Sequence, residues 1–243
     1  MAALNPAITL SVVSHGQNAL ANQLIGDVCH HCPDSVALVL TENIPDPVAL
    51  SATGLASRCD TIVSDQPQGY GANHNRAFAR CRTPYFCVAN PDLRFFADPF
   101  PPLLKRLENE AVGVVGPLVR NPLGGVEDSA RHFPTLGSIL RRRFGKPPGP
   151  DYPTNQGSIE VDWIAGMFML FHSETYREIG GFDEAYFLYY EDVDLCQRLR
   201  KSGKTVLYDP ASEIVHDAQR ASRRNPRLAL HHLTSALRYL SRS

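Results

Sequence analysis

The stretch Tyr85-Phe86-Cys87-Val88-Ala89-Asn90-Pro91-Asp92 is an apolar run that ends abruptly in three turn-forming polar residues. Five apolar residues bounded in this way predict a buried strand, and Asn-Pro-Asp predicts the turn that ends it. A carboxylate at the end of such a strand is well placed to hold a divalent cation such as Mg²⁺. The alternative is that Asp92 only forms the turn.

Similar runs lie on both sides of this stretch, separated by segments with helical character. Strands that alternate with helices at this spacing predict an α/β fold with a mostly parallel central sheet and helices on both faces. Ligands of such sheets bind at the carboxyl ends of the strands. The predicted strands are 8–13, 36–40, 61–63 and 112–115. Three helices are predicted: one follows the first strand and ends near residue 31, and the others span 71–82 and 99–109.

The second half of the chain begins with a long segment, 120–158, that is rich in Gly, Pro and Arg and predicts a loop. After it, one strand is expected over 163–171 and a helix over 191–202, closed by Gly203. Asn225-Pro226 predicts the start of a last helix, with Asn as the cap. Two short strands are expected at 206–208 and 214–215.

Composition excludes several classes of protein. The chain has 243 residues, 43% of them hydrophobic, and a formal net charge of -1, so nothing global indicates a nucleic-acid partner. No apolar stretch is long enough to span a membrane, and no signal peptide is evident. The six cysteines predict reduced thiols in a cytoplasmic protein. Cys29-His30-His31-Cys32 resembles half of a zinc site, but no second ligand pair accompanies it.

The segment from Gly69 to Arg76, which reads GYGANHNR, opens the predicted helix 71–82. Two glycines allow the backbone to approach a ligand closely, and the helix N-terminus behind them favours phosphate. The segment is not the dinucleotide-binding fingerprint, because His74 stands where the third glycine is needed. A simple glycine turn that opens a helix is the alternative.

Acidic residues begin the predicted helix 191–202. Asp192 lies on the same face as the apolar residues at 195, 196 and 199, so we expect it to point inward. An inward carboxylate must be paired, bound to metal or raised in pKa, and a raised pKa suits a general base. The alternative is that these acids only favour the helix dipole. A neighbouring, wetter stripe is expected to carry Glu191, Asp194 and Arg198.

In this order, these segments resemble family 2 glycosyltransferases of the GT-A fold, from about residue 8 to residue 216. The details are most similar to bacterial rhamnosyltransferases that build cell-wall or lipopolysaccharide glycans. The resemblance implies an inverting transfer of a sugar, such as rhamnose from dTDP-rhamnose, to a hydroxyl of a glycan or lipid-linked acceptor. It also implies a Mg²⁺ or Mn²⁺ cofactor and a domain over 1–217, with a nucleotide-binding half to about 118 and an acceptor half from 119.

The resemblance assigns roles to individual residues. Asp192 matches the general base, with Glu191 beside it, and Asp92 and His216 match metal-site positions. Because a guanidinium binds phosphate well, two arginines are also expected among the acceptor or phosphate contacts. Expected nucleotide contacts are Ser14, Glu42, Asn43, Gly69, Tyr70, Gly71 and Asn75. Expected acceptor or phosphate contacts are Trp163, Asp162, Arg131 and Arg220.

Two departures from the family pattern stand out. Asn90 occupies the place of the usual first Asp of an Asp-X-Asp motif, so one metal carboxylate is missing. Glu42 stands where Asp is more usual. A non-catalytic protein that binds sugar nucleotides and a nucleotidyltransferase therefore remain alternatives, whereas the failed glycine fingerprint disfavours an NAD-binding domain.

The tail 218–243 is basic and is expected to be helical. After Asp217 the chain has no acid but has arginines at 220, 223, 224, 227, 238 and 242, and leucines recur at 230, 233, 237 and 240. This pattern predicts peripheral contact with the inner face of the membrane. The alternatives are that the leucines pack on the catalytic domain or on a second subunit, as in a homodimer. Another basic run covers Arg141–Arg143 and Lys146.

Overall fold

The computed structural model describes residues 6–52, 54–139, 150–217 and 226–242, and its centre is a nine-stranded sheet. The strand order is β3-β2-β1-β4-β10-β6-β11-β5, and β8 pairs with β11 at the side. Six strands, β1 to β4, β6 and β11, run in one direction, while β5, β8 and β10 run against them. The predicted mostly parallel α/β sheet is therefore confirmed.

The bounds of the elements agree with most of the predicted segments. The strands are β1 Ile8–His15, β2 Val36–Ile44, β3 Cys59–Val63, β4 Tyr85–Ala89, β5 Leu93–Arg94, β6 Val112–Arg120, β7 Ala130–Arg131, β8 Ile159–Glu160, β9 Trp163–Ile164, β10 Phe168–His172 and β11 Thr205–His216. The helices are α1 Asn18–His31, α2 Tyr70–Phe78, α3 Phe100–Leu107, α4 Ser173–Glu178, α5 Glu191–Lys201 and α6 Pro226–Leu240, with a 3₁₀ turn at Ala56–Arg58.

The sheet separates two cores, because successive side chains of a strand point to opposite faces. On one face, Ile8 and Leu10 of β1 pack with α1 and α3. On the other face, Phe86 and Val88 of β4 belong to a cluster that includes α4 and α5. Helix α2 also covers this second face, where the Ser11 hydroxyl of β1 lies 2.8 Å from Nδ1 of His74. Helices thus lie on both faces of the sheet, as predicted.

Two predictions about strands are wrong. The segment 163–171 is not one strand, since β9 pairs with β7 in a separate small sheet and β10 joins the main sheet. The segments 206–208 and 214–215 are not separate, since β11 runs through both with a register shift between Asp209 and Glu213. The first difference matters most, because it leaves Ala165 to Met167 free to form a connection beside the site. The basic run 141–146 lies outside the described residues.

Asn75 of α2 joins this helix to the loop that follows α4. Its Nδ2 donates hydrogen bonds to the Phe182 carbonyl and to Glu184, both at 2.9 Å. Its Oδ1 accepts hydrogen bonds from the Phe182 N–H at 3.0 Å and the Tyr176 hydroxyl at 2.8 Å. One amide therefore uses its whole bonding capacity to fix the position of the 182–184 loop.

We expect Asn75→Ala to lower the free energy of unfolding by about 2–4 kcal/mol, because it leaves several buried groups without partners. Urea denaturation measures the loss. Asn22→Ala is the matched control, since its amide makes two bonds at the surface, to the Ala49 carbonyl and from the Ser51 N–H. The control is expected to cost under about 1 kcal/mol. Equal losses in both variants would contradict the assigned role of Asn75.

Candidate functional site

The candidate site lies where three parallel strands of the main sheet end. Strands β1, β2 and β4 run in the same direction, so their carboxyl ends meet at one edge of the sheet. Ser14 and Glu42 are paired neighbours at this edge, and Asn90 follows β4 directly. In open α/β sheets this edge is where ligands bind. The polar residues of the site are therefore brought together by the topology.

Asp192 lies in the first turn of α5 and is held by two backbone N–H groups. Its Oδ2 accepts a hydrogen bond from the Gly166 N–H at 2.8 Å, and its Oδ1 accepts one from the Val193 N–H at 2.8 Å. The side chain is half-buried, so part of it remains accessible. Burial raises the pKa of Asp192, while these two hydrogen bonds and the charge of Arg131 oppose the rise. The carboxyl group is thus fixed in position with an elevated basicity.

Glu191 differs from Asp192 in its surroundings. It is only 5% exposed, and its Oε2 has no hydrogen-bond partner among the described residues. Burial, followed by the negative charge of Asp192, raises the pKa of Glu191 well above its ordinary value. Burial thus disfavours the charged form more strongly at Glu191, whereas two N–H donors favour the charged form of Asp192.

The predicted wetter stripe on α5 is wrong. Glu191 and Asp194 are 5% and 8% exposed, whereas Asp192 is the more accessible acid. The reason is that Arg198 pairs with Asp194 at 2.7 Å and also donates to the carbonyls of Ile179 and Gly181. This network folds the loop after α4 over that face of the helix.

Tyr70 connects the start of α2 to the Asp192 side of the site. Its hydroxyl donates a hydrogen bond to the Gly166 carbonyl at 2.5 Å and lies 3.4 Å from Oδ1 of Asn90. Burial and the charges of Glu191 and Asp192 raise the pKa of Tyr70 well above its ordinary value, so the hydroxyl keeps its proton and remains a donor. The Gly166 peptide group is consequently bonded through its N–H to Asp192 and through its carbonyl to Tyr70.

Asp92, His216 and Glu127 form a second polar cluster. Nε2 of His216 lies 3.3 Å from Oδ1 of Asp92, and Nδ1 of His216 lies 2.6 Å from Oε2 of Glu127. Burial alone would lower the pKa of His216, but its hydrogen bonds and charge interactions with the two acids raise it to about 9. The predicted pair Asp92 and His216 therefore lies together, and Glu127 orients the imidazole from its other side.

Short backbone contacts join this cluster to the base. The Asn90 N–H donates to the Met167 carbonyl at 2.9 Å, directly beyond Gly166. The Asp217 N–H donates to the Asp92 carbonyl at 2.9 Å, which ties the end of β11 to the same turn. The 90–92 turn thus lies between the Asp192 side and the His216 side of one continuous site.

The cluster offers a divalent cation one carboxylate and one imidazole. Oδ1 of Asp92 is buried, and its one close partner among the described residues is Nε2 of His216 at 3.3 Å, so this oxygen suits a cation. Asn90 supplies no second carboxylate. Within the described ranges, no three His, Cys, Asp or Glu side chains are grouped as a metal site. With its pKa raised to about 9, His216 is itself protonated near neutral pH. A cation held by Asp92 and Nε2 of His216 would therefore displace that proton and would take its remaining ligands from phosphate oxygens and water.

On the nucleotide side, Glu42 is the residue best placed to meet a ligand. One of its carboxylate oxygens accepts a hydrogen bond from Nδ2 of Asn18 at 2.7 Å, and the side chain is partly exposed. Ser14 is buried, and its hydroxyl accepts a hydrogen bond from the Gln17 N–H at 3.0 Å. Ser14 therefore shapes the turn after β1, while Glu42 can still present a carboxylate oxygen to a nucleoside.

Asn43 is used by the protein itself. Its Oδ1 accepts a hydrogen bond from the Gln68 N–H at 2.8 Å, and its Nδ2 donates to the Gln68 carbonyl at 2.9 Å. The amide also lies 3.0 Å from Nδ1 of His15. This pairing fixes the segment before Gly69, so the structure assigns Asn43 a role in positioning the loop rather than in direct contact with the nucleotide.

The sequence predicted that Gly69 and Gly71 leave room for a ligand. This prediction is wrong for the side of α2 on which the glycines lie, because the protein itself fills that space. A Cβ on Gly69 would lie 2.8 Å from the Phe187 carbonyl oxygen, and one on Gly71 would lie 2.6 Å from Cβ of Phe182. Both glycines allow α2 to approach the 182–187 segment closely. Asn75 makes the same contact with its amide, as described above, so it has no bonding capacity left for a nucleotide.

The residues predicted to contact the acceptor, as far as the structure describes them, lie in or beside the small sheet of β7 and β9. The Arg131 guanidinium lies 5.2 Å from the centre of the Trp163 ring and is bonded to Asp128 at 2.8 Å. Nε1 of Trp163 donates to the His132 carbonyl at 3.0 Å, which orients the indole. Asp162 accepts a hydrogen bond from the Phe133 N–H at 3.0 Å and so positions this segment rather than facing the site. Arg220 lies outside the described residues.

Sequence reasoning did not find two participants. Glu127 lies in a segment without periodicity, and only the folded chain brings it to His216, 89 residues away in sequence. Gly166 was expected inside a strand, where its peptide group would bond only to neighbouring strands. Neither residue has a local signal that reveals its role, because both roles depend on long-range contacts.

Two sequence profiles match the chain. The profile of glycosyl transferase family 2 matches residues 36–173, and the profile of the N-terminal domain of galactosyltransferase matches residues 153–217. The first covers more than half of the chain. Together they span the nucleotide edge, the 90–92 turn, the base and His216.

Curated relatives agree with these matches. The N-acetylglucosaminyl-diphospho-decaprenol L-rhamnosyltransferase of Mycobacterium tuberculosis (strain ATCC 25618 / H37Rv) is 34% identical over 190 residues, which are 68% of this chain and 61% of the relative. The chain thus spans less than two thirds of that protein. The rhamnosyltransferase WbbL of Escherichia coli (strain K12) is 27% identical over 248 residues, which cover 97% of this chain and 93% of WbbL.

Solved structures show the same fold. GalNAc-T7, solved with UDP, GalNAc and Mn²⁺, superposes with a TM-score of 0.67 at 12% identity, over 88% of this chain and 44% of that one. The mannosyltransferase PcManGT of Pyrobaculum calidifontis, solved with GDP-Man and Mn²⁺, gives a TM-score of 0.64 at 15% identity, over 96% and 65%. The family profile and the mycobacterial relative show the family, the solved structures show the fold, and the chain belongs to family 2 of the glycosyltransferases, with a GT-A fold.

Proposed function

We propose that the protein transfers a sugar from a nucleoside-diphosphate donor to a hydroxyl group of an acceptor, with inversion at the anomeric carbon. The observation that supports this most is Asp192. It is an accessible carboxylate with raised pKa, fixed by the Gly166 N–H, in a site that also contains the Asp92–His216 cluster. A single base opposite a phosphate-binding region is the arrangement that a direct displacement needs.

Asp192 acts as the general base in this proposal. The Gly166 and Val193 N–H groups hold its carboxylate still, so that a free lone pair can accept the proton of the acceptor hydroxyl. General-base assistance of this kind typically contributes 10²–10⁴-fold to a rate. Arg131 and Trp163 flank the base, where they would orient the acceptor.

Asp92 and His216 are the residues that would hold a divalent cation, Mg²⁺ or Mn²⁺. A bound cation would offset the charge that develops on the leaving diphosphate. Glu127 would fix the His216 ring so that Nε2 points at the cation site. Glu42 and the turn formed by Ser14 would contact the nucleoside. The halves 1–118 and 119–217 then correspond to donor and acceptor binding, and α6 of the tail 218–243 packs on the domain through Ala236 and Tyr239.

The relatives narrow the substrates that we propose. Both the mycobacterial relative and WbbL are named as rhamnosyltransferases, and the former name includes a diphospho-decaprenol acceptor. We therefore propose dTDP-rhamnose as the donor and a lipid-linked glycan as the acceptor, in synthesis of a cell-wall or surface polysaccharide. Such an acceptor places the enzyme peripherally at the inner face of the cytoplasmic membrane.

We expect Asp192→Asn to reduce sugar transfer by about 10²-fold or more, because an amide cannot accept a proton near neutral pH. Donor binding is expected to remain within about threefold of wild type, since the backbone contacts persist. Steady-state transfer assays and calorimetric titration of the donor measure the two quantities.

Asp194→Asn is the matched control for this experiment. It makes the same chemical change two residues along α5, at a carboxylate that is paired with Arg198. This control is expected to melt at a lower temperature but to retain its turnover while folded. Near wild-type turnover in Asp192→Asn would remove Asp192 from the base role.

We also expect the affinity for a nucleoside diphosphate to rise about tenfold with Mn²⁺, and Asp92→Ala to abolish this gain, because the only carboxylate of the proposed cation site is lost. Calorimetric titrations with Mn²⁺ and with EDTA test it. Glu108→Ala, at an exposed acid on another surface, is the control and should behave as wild type. Equal affinity of the wild-type protein under both conditions would argue against a metal role.

A further inference from the structure

Helix α6 has a polar and aromatic inner face and an apolar outer face. On the inner face, Ala236 and Tyr239 are buried, and the Ser235 hydroxyl donates to the Leu188 carbonyl at 2.9 Å. On the outer face, three leucines at spacings of three and four are largely exposed. Their exposed fractions are 60% for Leu230, 56% for Leu233 and 59% for Leu237.

This arrangement decides between two of the sequence-based interpretations. If the leucine stripe served to pack α6 on the catalytic domain, these leucines would be inside. Instead smaller and aromatic residues make that contact, and only Leu240 of the stripe is partly buried in it. Phe187, which is also exposed, stacks on His231 with ring centres 4.8 Å apart and widens the apolar surface. A contiguous exposed apolar patch indicates a binding surface.

The charged residues of helix α6 and the two residues after it are all arginines. Residues 226–242 contain Arg227, Arg238 and Arg242 and no acid. The Arg238 guanidinium lies 5.8 Å from the Tyr186 ring centre, and Arg242 pairs with Asp183 on the domain at 2.6 Å. An exposed apolar face on a helix that carries arginines and no acid complements the surface of a bilayer that contains anionic lipids.

A second copy of the chain fits this surface less well. Dimers usually form across a two-fold axis, which would place the same face of α6 from each copy in contact. Two helices that carry arginines and no acid would then face each other, and of their described side chains only Arg242 is paired to an acid of the domain, Asp183. Such like-charge contact is unfavourable. Among the described helices, none is long and apolar enough to cross a bilayer.

We propose that the outer face of α6, formed by Leu230, Leu233 and Leu237 with Phe187 beside them, lies in the interface of a membrane that contains anionic phospholipids. The inner face of the same helix supports the segment that leads into the base. The ring centre of His232 lies 5.3 Å from that of Tyr189 and 5.4 Å from that of Tyr190. The Tyr239 hydroxyl accepts a hydrogen bond from Gln197 of α5 at 3.1 Å.

This placement deepens the proposed function, on which its biological meaning rests, because one helix separates the lipid surface from the Asp192 segment. An α-helix with its side chains is about 10–12 Å across, so a lipid-linked acceptor need extend only a short distance to reach the site. The contact with lipid itself depends only on the exposed face and its charge.

The test is flotation of the full chain with vesicles. Wild type is expected to float with phosphatidylcholine vesicles that contain phosphatidylglycerol, to float much less with pure phosphatidylcholine, and to be released by high salt. The triple variant Leu230→Ser, Leu233→Ser, Leu237→Ser is expected to bind the anionic vesicles about tenfold or more weakly. Leu123→Ser is the control, since it removes a 96% exposed leucine elsewhere and should bind as wild type.

Two further measurements separate the outcomes. Thermal unfolding and donor titration in solution should be unchanged in the triple variant, because its leucines make little contact with the domain, so lost binding cannot be ascribed to misfolding or to failure of the proposed activity. The proposal is overturned if wild type ignores anionic vesicles at low salt, or if the triple variant binds them as well as wild type. It is also overturned if sedimentation shows that these leucines hold a dimer and neither protein binds lipid.

Discussion

The peptide group of Gly166 is the point on which the whole site depends. Its N–H bonds to Asp192 and its carbonyl accepts from Tyr70, while the next residue, Met167, accepts from the Asn90 N–H. This connection exists because the chain leaves the small sheet after β9 and enters the main sheet at β10. Three segments far apart in sequence, at the start of α2, after β4 and at the start of α5, are thereby held at one edge of the sheet.

The three acids in the first turn of α5 differ in burial and in the groups that surround them. Asp194 is paired with Arg198, and burial raises the pKa of Glu191 well above the usual range. Asp192 alone of the three is partly accessible, and two backbone N–H groups stabilise its charged form. An uncompensated buried charge costs several kcal/mol, so only an arrangement of this kind lets one reactive carboxylate persist beside two others.

Features of the fold and site that depend on neighbouring residues could be predicted from the sequence. Features that depend on contacts between distant segments could not. The apolar run before Asn90 predicted strand β4 and the position of Asp92 after it. The acids that open α5 predicted that helix and the position of Asp192 at its start. The hydrogen bonds that Asn43 and Asn75 make within the protein could not be predicted, because a free amide and one that is bonded to a distant loop look identical in sequence. The role of Gly71 depends on its contact with Phe182, more than a hundred residues away, so only the fold reveals it.

The account claims that one fixed base and no covalent nucleophile perform the transfer, and the configuration of the product tests this most directly. The measurement is an NMR spectrum of the product formed from a nucleoside-diphosphate sugar of known anomeric configuration. Direct displacement assisted by Asp192 predicts a glycosidic bond of the opposite configuration. A product that retains the configuration of the donor, or a donor that is never transferred to any hydroxyl acceptor, would contradict the account.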